Sequence, residues 1–439
     1  MNILLIGSGA REHIIARALK LSQHQTDLYC FGSNRNPGIL EMAKGYTVGK
    51  LDNVTAIVSF AKANNINWAI VGPELPLSVG IVDELAKANI PSVGPTKNLA
   101  QIETSKSFTR DLFTEFAIPG CAKYKKFSSM DSVEEYTKEL NNNYVVKADG
   151  LMGGKGVKVY GEHLHSLDET LKWCQEIPAS KSTFLIEEKF VGQEFSLMSF
   201  SDGTHLVHMP AVQDHKRAYV GDTGPNTGGM GSYSDANFSL PFLTADDIKQ
   251  AQHINELTAQ ALHKKFGVGY KGILYGGFMA TADGVKIIEY NARFGDPEAI
   301  NVLAIFQSDF VEVCEAIIHG NLKPELVKFG ENATVCKYVV PEGYPDNPVK
   351  NQRIDVSGVE NPYALYYAAV DAREDGLYET GSRTIAVIGI ADTIARAEAS
   401  AEAEVKRIKG PVFHREDVGT EELINKRISM LKSLRNLSS

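Results

Sequence analysis

The stretch KADGLMGGKGV, residues 147–157, combines two lysines and an aspartate with four glycines. It follows the apolar residues YVV, which predict a strand, so that alternation turns the Lys147 side chain to one face of the strand. A buried ammonium group is costly unless an anion pairs with it. Glycines leave backbone amides bare, and such amides can close over phosphate groups. The stretch therefore predicts a phosphate-binding loop. Taken alone, the loop is equally compatible with a flexible hairpin tip.

A second charged stretch, FLIEEKFVGQE at residues 184–194, ends an apolar strand in a hinge. Such a hinge can present backbone groups to the edge of an adenine, and Glu194 can accept hydrogen bonds from ribose hydroxyls. The Walker A pattern is absent from the glycine-rich loop, since Val157 follows Gly156. Lysine, loop and hinge together favour a nucleotide site of another type.

A third stretch, VKIIEYNARFGDPE at residues 285–298, predicts a strand that carries Glu289, Asn291 and Arg293 on one face. The residues expected to face the core are Ile288, Tyr290 and Ala292. Carboxylate and amide oxygens suit Mg²⁺, which also takes ligands from substrate phosphates. Arg293 can hold a carboxylate or a transferring phosphoryl group in a bidentate manner, and the turn that follows presents Asp296. The alternative is a polar strand edge that faces solvent.

The first hundred residues alternate apolar strands and amphipathic helices, which predicts a doubly wound parallel sheet. The turn GSGARE, residues 7–12, lies between a strand and a helix, where a phosphate can bind. Glu12 stands where a dinucleotide site has its third glycine, which disfavours a nicotinamide cofactor. The turn VGPE ends in Glu74 and is expected beside the first turn, so the pair predicts a site for a phosphorylated small molecule, with Arg11 as its cation. Two tight turns without a ligand are the alternative.

The polar stretch QDHKRAYVGDTGPNTGGMGSY, residues 213–233, sets Asp214, His215, Lys216 and Arg217 before a run of glycines. It is too polar for a core, and it has the character of a substrate-binding loop. A single histidine in such a loop is more often structural than catalytic.

The composition excludes several classes of protein. The chain has 439 residues, of which 43% are hydrophobic and 23% charged, and its net charge is −9, which disfavours nonspecific binding to nucleic acid or anionic membranes. Its five cysteines form no C-x-x-C pair, so neither a zinc site nor a disulfide framework is expected. No apolar run approaches the ~20 residues that span a bilayer. We expect a cytoplasmic protein.

Taken together, the motifs GSGAREH, VVKADGL, QDHKR, DTGPNTGGMGSYS and IEYNARFGDPE resemble, in this order, the glycinamide ribonucleotide synthetase family of the ATP-grasp superfamily. The resemblance runs nearly from end to end. It implies an α/β fold with an N-terminal doubly wound parallel-sheet domain at 1–103, a central ATP-grasp α+β domain at 104–327 and a C-terminal α+β domain at 328–439. A small lid subdomain is expected at about 121–195.

The resemblance also implies roles for individual residues. ATP would be bound by Lys106, Lys147, Gly153, Gly154, Lys155, Gly156, Glu187, Glu188, Lys189, Phe190 and Glu194. Mg²⁺ or Mn²⁺ would be bound by Glu289 and Asn291. Phosphoribosylamine would lie at Gly9, Arg11, Glu12 and Glu74. Glycine would lie at Asp214, Asn226, Thr227, Gly228, Gly229, Arg293 and Asp296. Lys147 and Arg293 would serve catalysis.

The activity implied is the ATP-dependent ligation of glycine to 5-phosphoribosylamine through a glycyl phosphate, as the second step of de novo purine biosynthesis. The partners implied are these two small molecules, without nucleic acid or membrane, and we expect a monomer or weak dimer. Three alternatives stay open: a biotin-type carboxylase, a nicotinamide dehydrogenase that uses the N-terminal unit, and a nucleotide-sensing binding module.

Overall fold

The computed structural model describes residues 1–151, 156–177 and 183–435. The N-terminal part consists of β1 (Asn2–Ile6), α1 (Ala10–Lys20), β2 (Asp27–Gly32), α2 (Pro37–Met42), β3 (Ala43–Val48), α3 (Val54–Ala63), β4 (Trp68–Val71), α4 (Glu74–Ser78), α5 (Ile81–Lys87) and β5 (Ser92–Val93). The five strands form one parallel sheet in the order β3-β2-β1-β4-β5, because apolar strands such as β1 are covered by helices on both faces. The predicted doubly wound sheet is confirmed. The pair α2–β3 was not predicted, since AKGYTV lacks an apolar run and β3 is only half-buried.

The next segment contains the lid. Its elements are α6 (Gln101–Thr104), α7 (Lys106–Glu115), β6 (Tyr124–Phe127), α8 (Val133–Glu139), β7 (Tyr144–Ala148), β8 (Val157–Val159), α9 (Leu167–Glu176) and β9 (Phe184–Glu188). Ser105 caps α7, because its Oγ accepts a hydrogen bond of 3.1 Å from the Phe108 amide. The four strands form an antiparallel sheet in the order β6-β9-β7-β8, and this unit has a hydrophobic cluster of its own.

The body of the central domain follows. Its elements are β10 (Gly192–Asp202), β11 (Leu206–His208), β12 (Gln213–Asp214), β13 (Arg217–Tyr219), β14 (Thr223–Asn226), β15 (Gly231–Ser234), α10 (Ala245–Phe266), β16 (Lys271–Thr281), β17 (Gly284–Asn291), α11 (Glu298–Ala304) and α12 (Phe310–His319). The main sheet has the order β11-β10-β16-β17, and all its pairs are antiparallel. Because β10 pairs with β16 from Gly192 onward, the last residues of the predicted lid, 192–195, lie in this sheet.

A register shift in this sheet corrects one prediction. Gly277 pairs with Glu289 and Phe278 with Ile287, so Ile288 is an extra residue in a β-bulge. Ile288 is therefore only half-buried, whereas Tyr290 and the neighbouring Ala292 are buried as predicted. The expectation that Ile288 faces the core was wrong, and Ile287 takes that place.

The C-terminal part completes the molecule. It contains β18 (Ala333–Pro341), β19 (Arg353–Ile354), β20 (Leu365–Tyr367), β21 (Val370–Arg373), β22 (Gly376–Glu379), β23 (Ile385–Ala391), α13 (Ile394–Val405), β24 (Val412–Phe413) and α14 (Glu421–Leu434), with short 3-10 helices at Pro324–Leu326 and Pro362–Ala364. Its main sheet has the order β12-β15-β18-β23-β20. Two of these strands, β12 and β15, come from the two ends of the polar stretch 213–233. The substrate-binding loop predicted there is thus built directly on the C-terminal sheet.

Two further findings concern the predicted class of protein. Each of the five cysteines is a free thiol. Among the residues that the structure describes, none of the helices combines the length and the apolar character that crossing a membrane requires.

Candidate active site

The two N-terminal turns meet at the carboxyl ends of β1 and β4, as predicted for neighbouring parallel strands. A Cβ atom on Gly7 would lie 2.7 Å from Cδ of Pro73. The Glu12 carboxylate accepts hydrogen bonds from the Gly9 amide (2.5 Å) and from Nε of Arg11 (2.6 Å). Glu12 therefore holds the turn together, while its predicted contact with phosphoribosylamine stays a prediction.

Arg11 and Arg293 connect these turns to the segment 293–296. Nη1 of Arg11 donates to the Phe294 carbonyl (3.1 Å). Arg293 lies with Nη2 2.9 Å from Oε1 of Glu103 and with Nε 3.4 Å from Oε2 of Glu74. Burial alone would lower the pKa of the Arg293 guanidinium, but Glu103 and Glu74 outweigh it and raise this pKa. The structure thus brings Glu74 and Arg293 together and adds Glu103, for which no role was predicted.

Lys147 finds its anion in Glu187. Nζ of Lys147 lies 2.7 Å from Oε2 of Glu187, and Arg110 binds the same carboxylate in a bidentate manner at 2.8 and 2.9 Å. All three side chains are buried, and both cations also donate to the carbonyl of Ile288 in the β-bulge. Burial alone would raise the pKa of Glu187, but the charges of Arg110 and Lys147 lower it from 4.5 to about 2.

Asp149 ties the glycine-rich segment to the N-terminus of α7. Its Oδ1 accepts hydrogen bonds from the amides of Lys106 (2.7 Å) and Ser107 (3.3 Å), and its Oδ2 accepts one from Oγ of Ser105 (3.2 Å). Nζ of Lys106 donates to the Gly150 carbonyl (3.0 Å). Burial lowers the pKa of Lys106, an effect that Glu289 opposes. Lys106 therefore lies beside the glycine-rich segment, where a phosphate-binding lysine was predicted.

The glycine-rich loop itself is described only at its ends. The Ala148 amide donates to the Gly156 carbonyl (2.8 Å), which closes the base of the loop between β7 and β8. Three predicted ATP-binding residues, Gly153, Gly154 and Lys155, lie outside the described residues.

The hinge after β9 makes contacts with its own subdomain. Oε1 of Glu188 accepts a hydrogen bond from the Lys123 amide (2.8 Å), and Nζ of Lys189 lies 2.8 Å from Oε1 of Glu162. Phe190 is half-buried. Their predicted contacts with adenine stay predictions.

Lys216 joins the residues predicted for ribose and for the metal. Its Nζ lies 3.3 Å from Oε2 of Glu194 and 3.6 Å from Oε1 of Glu289. The Glu194 charge raises the pKa of Lys216, and Lys216 in turn lowers the pKa of Glu289. Asn291 follows two residues later on β17 and is half-buried. An ionised carboxylate and an amide on one strand are a suitable donor set for a divalent cation.

The loop 226–229 lies over a buried carboxylate. Asp214 is held on β12, and its Oδ1 is buried without a hydrogen-bond partner in the described part of the chain. Burial, followed by the nearby Glu298, raises the pKa of Asp214 well above its usual range. Gly229 has a φ of +109°, and a Cβ atom there would lie 2.5 Å from this Oδ1.

The other members of this loop are held by backbone and side-chain contacts. Asn226 pairs with Arg217 across the β13–β14 hairpin. Thr227 donates to the Lys216 carbonyl from its amide (2.7 Å) and from its Oγ1 (2.9 Å). Gly228 is the exposed residue between Thr227 and Gly229.

Asp296 faces the C-terminal domain. Its Oδ1 accepts a hydrogen bond of 2.5 Å from the Tyr338 hydroxyl, and its Oδ2 lies 3.4 Å from Nη2 of Arg383. A Cβ atom on Gly9 would lie 3.7 Å from the same Oδ2. Asp296 thus lies where the N-terminal turn, the central domain and the C-terminal domain meet.

Several residues of the site had no predicted role: Glu103, Arg110, Asp149, Lys216, Tyr338 and Arg383. Asp149 and Lys216 stand inside motifs already identified, so their polarity was a usable signal. Arg110 follows Lys106 by four residues on α7, which places both on one helix face. Tyr338 and Arg383 come from a distant part of the chain, and no local pattern indicates their contact with Asp296.

Comparison with known proteins identifies the family. Three family models match in chain order: the N domain of phosphoribosylglycinamide synthetase at residues 1–103, its ATP-grasp (A) domain at 104–299 and its C domain at 334–421. The chain is 48% identical over 436 residues to the phosphoribosylamine–glycine ligase of Methanocella arvoryzae, with 99% of this chain and 100% of the relative covered.

Solved structures agree in fold. The crystal structure of phosphoribosylamine–glycine ligase from Thermotoga maritima matches with a TM-score of 0.79 and 26% identity, over 95% of this chain and 100% of that one. The biotin carboxylase domain of Hydrogenobacter thermophilus 2-oxoglutarate carboxylase matches with a TM-score of 0.73 and 15% identity, over 100% of this chain and 95% of that one, which shows a shared fold alone. The chain belongs to the phosphoribosylglycinamide synthetase family.

Proposed function

We propose that the chain ligates glycine to 5-phosphoribosylamine with ATP, giving glycinamide ribonucleotide, ADP and phosphate. This is the second step of de novo purine biosynthesis. The observation that carries the proposal is the 48% identity over essentially the whole length to a phosphoribosylamine–glycine ligase. The ion pairs of Lys147 with Glu187, of Lys216 with Glu194 and Glu289, and of Arg293 with Glu74 and Glu103 support it.

The proposed reaction has two steps. A carboxylate oxygen of glycine attacks the γ-phosphorus of ATP, and the bond to the bridging oxygen breaks to release ADP. The amine of phosphoribosylamine then attacks the acyl carbon of the glycyl phosphate, loses a proton and expels phosphate. Catalysis consists mainly of positioning and charge stabilisation, so a protein nucleophile is not required.

The chain's cations suit the phosphate end of ATP. Lys106 binds the Gly150 carbonyl at the start of the glycine-rich loop, and Glu187 holds Lys147 on the strand that leads into this loop. We assign both lysines, with the loop residues Gly153, Gly154, Lys155 and Gly156, to the ATP phosphates. The hinge residues Glu187, Glu188, Lys189 and Phe190 are assigned to adenine, and Glu194 to ribose.

The residues present also suit a metal. Glu289 is ionised, because Lys216 lowers its pKa, and Asn291 offers an amide oxygen on the same strand. We propose that these two side chains bind Mg²⁺ or Mn²⁺, which would neutralise charge on the ATP phosphates.

The remaining predicted residues suit the two other substrates. Arg293 is assigned to the carboxylate of glycine and to the phosphoryl group that it receives, because its guanidinium is fixed by Glu103 and Glu74. Asp214, with the loop 226–229 and Asp296, is assigned to the glycine site. Gly9, Arg11, Glu12 and Glu74 are assigned to phosphoribosylamine.

Some expectations about the protein as a whole stay proposals. We expect it to act in the cytoplasm as a monomer or weak dimer, with small molecules as its only substrates. The net charge of −9 supports the absence of a nucleic-acid partner.

An assay of ADP formation tests the function. Purified chain with Mg-ATP is given glycine and freshly generated phosphoribosylamine, and each is omitted in turn. We expect ADP and glycinamide ribonucleotide in a one-to-one ratio only when both are present. ADP formation that needs bicarbonate and biotin would instead indicate a carboxylase, and ATP binding without turnover would indicate a binding module.

Arg293→Ala adds a test of the site in the same assay. Loss of a preorganised guanidinium should lower kcat by about 10²–10³-fold while the Kd for ADP changes little. Arg396→Ala, which removes an exposed arginine paired with Asp392, is the control and should be indistinguishable from the wild type. Unchanged turnover in Arg293→Ala would refute the assignment.

A further inference from the structure

Arg383 of the C-terminal domain binds both segments assigned to glycine. It lies between β22 and β23, and its Nη1 donates to the carbonyls of Gly228 (2.5 Å), Gly229 (3.2 Å) and Asp296 (2.8 Å). Its Nη2 lies 3.4 Å from Oδ2 of Asp296. One guanidinium therefore links the loop 226–229 to the turn at Asp296, although the two are some seventy residues apart in the chain.

Tyr338 completes this link. Its hydroxyl donates to Oδ1 of Asp296, its ring centroid lies 4.5 Å from Cζ of Arg383, and its amide donates to the Met230 carbonyl (2.9 Å). Both carboxylate oxygens of Asp296 thus lie against C-terminal side chains. Asp296 is therefore suited to fixing the loop and the turn relative to each other, whereas the buried Oδ1 of Asp214 has no hydrogen-bond partner in the described part of the chain.

The loop 226–229 packs closely against Asp214, so the distance between the loop and this carboxylate is tightly constrained. Gly229 lies so close to Oδ1 of Asp214 that a side chain at this position would overlap with it. A shift of the loop by a fraction of an ångström would therefore change the space around the Asp214 carboxylate. Arg383 opposes such a shift through its bonds to the Gly228 and Gly229 carbonyls. The Gly228 amide also donates to the Tyr344 hydroxyl (3.5 Å) and the Gly229 amide to Oγ1 of Thr227 (3.0 Å), but Arg383 is the one of these three side chains that also binds Asp296.

We propose that Arg383 is a positioning residue for the amino-acid site: it holds the loop 226–229 at the distance from Asp296 that admits glycine and excludes amino acids with a side chain. Tyr338 supports it by holding Asp296. The inference rests on the proposed function, and it concerns the selection of the amino acid rather than the chemistry.

Arg383→Met tests the proposal in steady-state assays of ADP formation. Loss of charged hydrogen bonds should raise the KM for glycine by about tenfold to a hundredfold, while kcat stays within about threefold and the KM for ATP is unchanged. The preference for glycine over alanine, measured as a ratio of kcat/KM values, should fall. Arg383→Lys keeps the charge and should recover part of the glycine KM.

Arg435→Met is the matched control. Arg435 has a similarly buried side chain and binds Asp247 at 2.7 and 2.9 Å, away from the pocket. It should lower the Tm without changing the KM for glycine. If Arg383→Met leaves the glycine KM within about twofold of the wild type, or raises the KM for ATP by the same factor, the proposal is overturned.

Two further outcomes are decisive. If Arg383→Met does not fold, Arg383→Lys and Tyr338→Phe decide: a selective rise in the glycine KM in either supports the proposal, and no rise in both overturns it. If the wild-type chain forms no ADP in response to glycine, the proposed function fails, and this inference falls with it. Normal wild-type activity with unaltered variants would overturn the inference alone.

Discussion

The buried residue Glu187 has a structural role that depends on its charge. Its carboxylate compensates two buried cations, Arg110 and Lys147. Glu187→Gln should lower the free energy of unfolding by about 3–5 kcal/mol, because both cations lose their counter-charge. Urea denaturation at pH 7 measures the change. Glu84→Gln, in an exposed pair with Lys87, is the control and should leave the unfolding curve unaltered.

The contribution of Glu187 to the free energy of unfolding should depend on pH. Because its pKa falls from 4.5 to about 2 on folding, the contribution of Glu187 to stability is fully present above pH 4.5 and is lost as the pH falls toward 2. The difference in unfolding free energy between the wild type and Glu187→Gln should therefore shrink between pH 5 and pH 3. A constant difference across this range would contradict the assignment. The sequence predicted that Lys147 needs an anion, but it could not identify Glu187, since their pairing depends on the register of β7 with β9.

Among the secondary-structure elements, β17 was predicted only in part. The alternation of polar and apolar residues predicted its polar face but not its β-bulge at Ile288. Glu289 and Asn291 share a face as expected, whereas the bulge displaces Ile288. The bulge turns the Ile288 carbonyl to Arg110 and Lys147, which places β17, with the proposed metal ligands, beside Lys147. A period-two pattern holds no signal for an extra residue, because a bulge is set by the pairing of two strands.

Asp149 connects the N-terminus of α7 to the start of the glycine-rich loop through hydrogen bonds to Lys106, Ser107 and Gly150. Asp149→Ala should raise the Kd for ATP about tenfold, because Lys106 and the loop lose their common anchor. Isothermal titration with a non-hydrolysable ATP analogue measures it. Ser105→Ala removes the cap of α7 and one hydrogen bond to Asp149, but it keeps the bonds from the Lys106 and Ser107 amides to Asp149. It should cost about 1 kcal/mol in stability with a much smaller change in this Kd. Equal ATP affinities of Asp149→Ala and the wild type would refute the link.

At the scale of the whole molecule, the order of the domains was readable from the sequence but their mutual contacts were not. The rhythm of strands and helices predicted the N-terminal sheet, and the motifs predicted the central domain. The sheet that joins β12 and β15 to β18 was not predicted, since strands so far apart in the chain leave no joint local pattern. The site consequently contains Tyr338 and Arg383, which only the folded molecule brings to it.

His13 lies where the N-terminal and C-terminal domains pack together. Its ring is buried against Tyr366 and Tyr367, and its Nδ1 accepts a hydrogen bond of 3.0 Å from the Tyr367 amide. Burial, with a smaller effect of Arg17, lowers the pKa of His13 from 6.5 to about 3. The folded chain therefore keeps His13 neutral at pH values where the unfolded chain protonates it.

This difference predicts how the interface responds to acid. The contribution of neutral His13 is fully present above pH 6.5 and should fall by about 1.4 kcal/mol per pH unit as the pH drops from 6.5 toward 3. In His13→Gln the unfolding free energy should lose this part of its pH dependence, so the wild type and the variant should differ most near pH 7. Urea denaturation at pH 7, 6 and 5 measures it, with the exposed His253→Gln as control. Parallel pH profiles of the wild type and His13→Gln would show that the buried imidazole does not couple domain packing to pH.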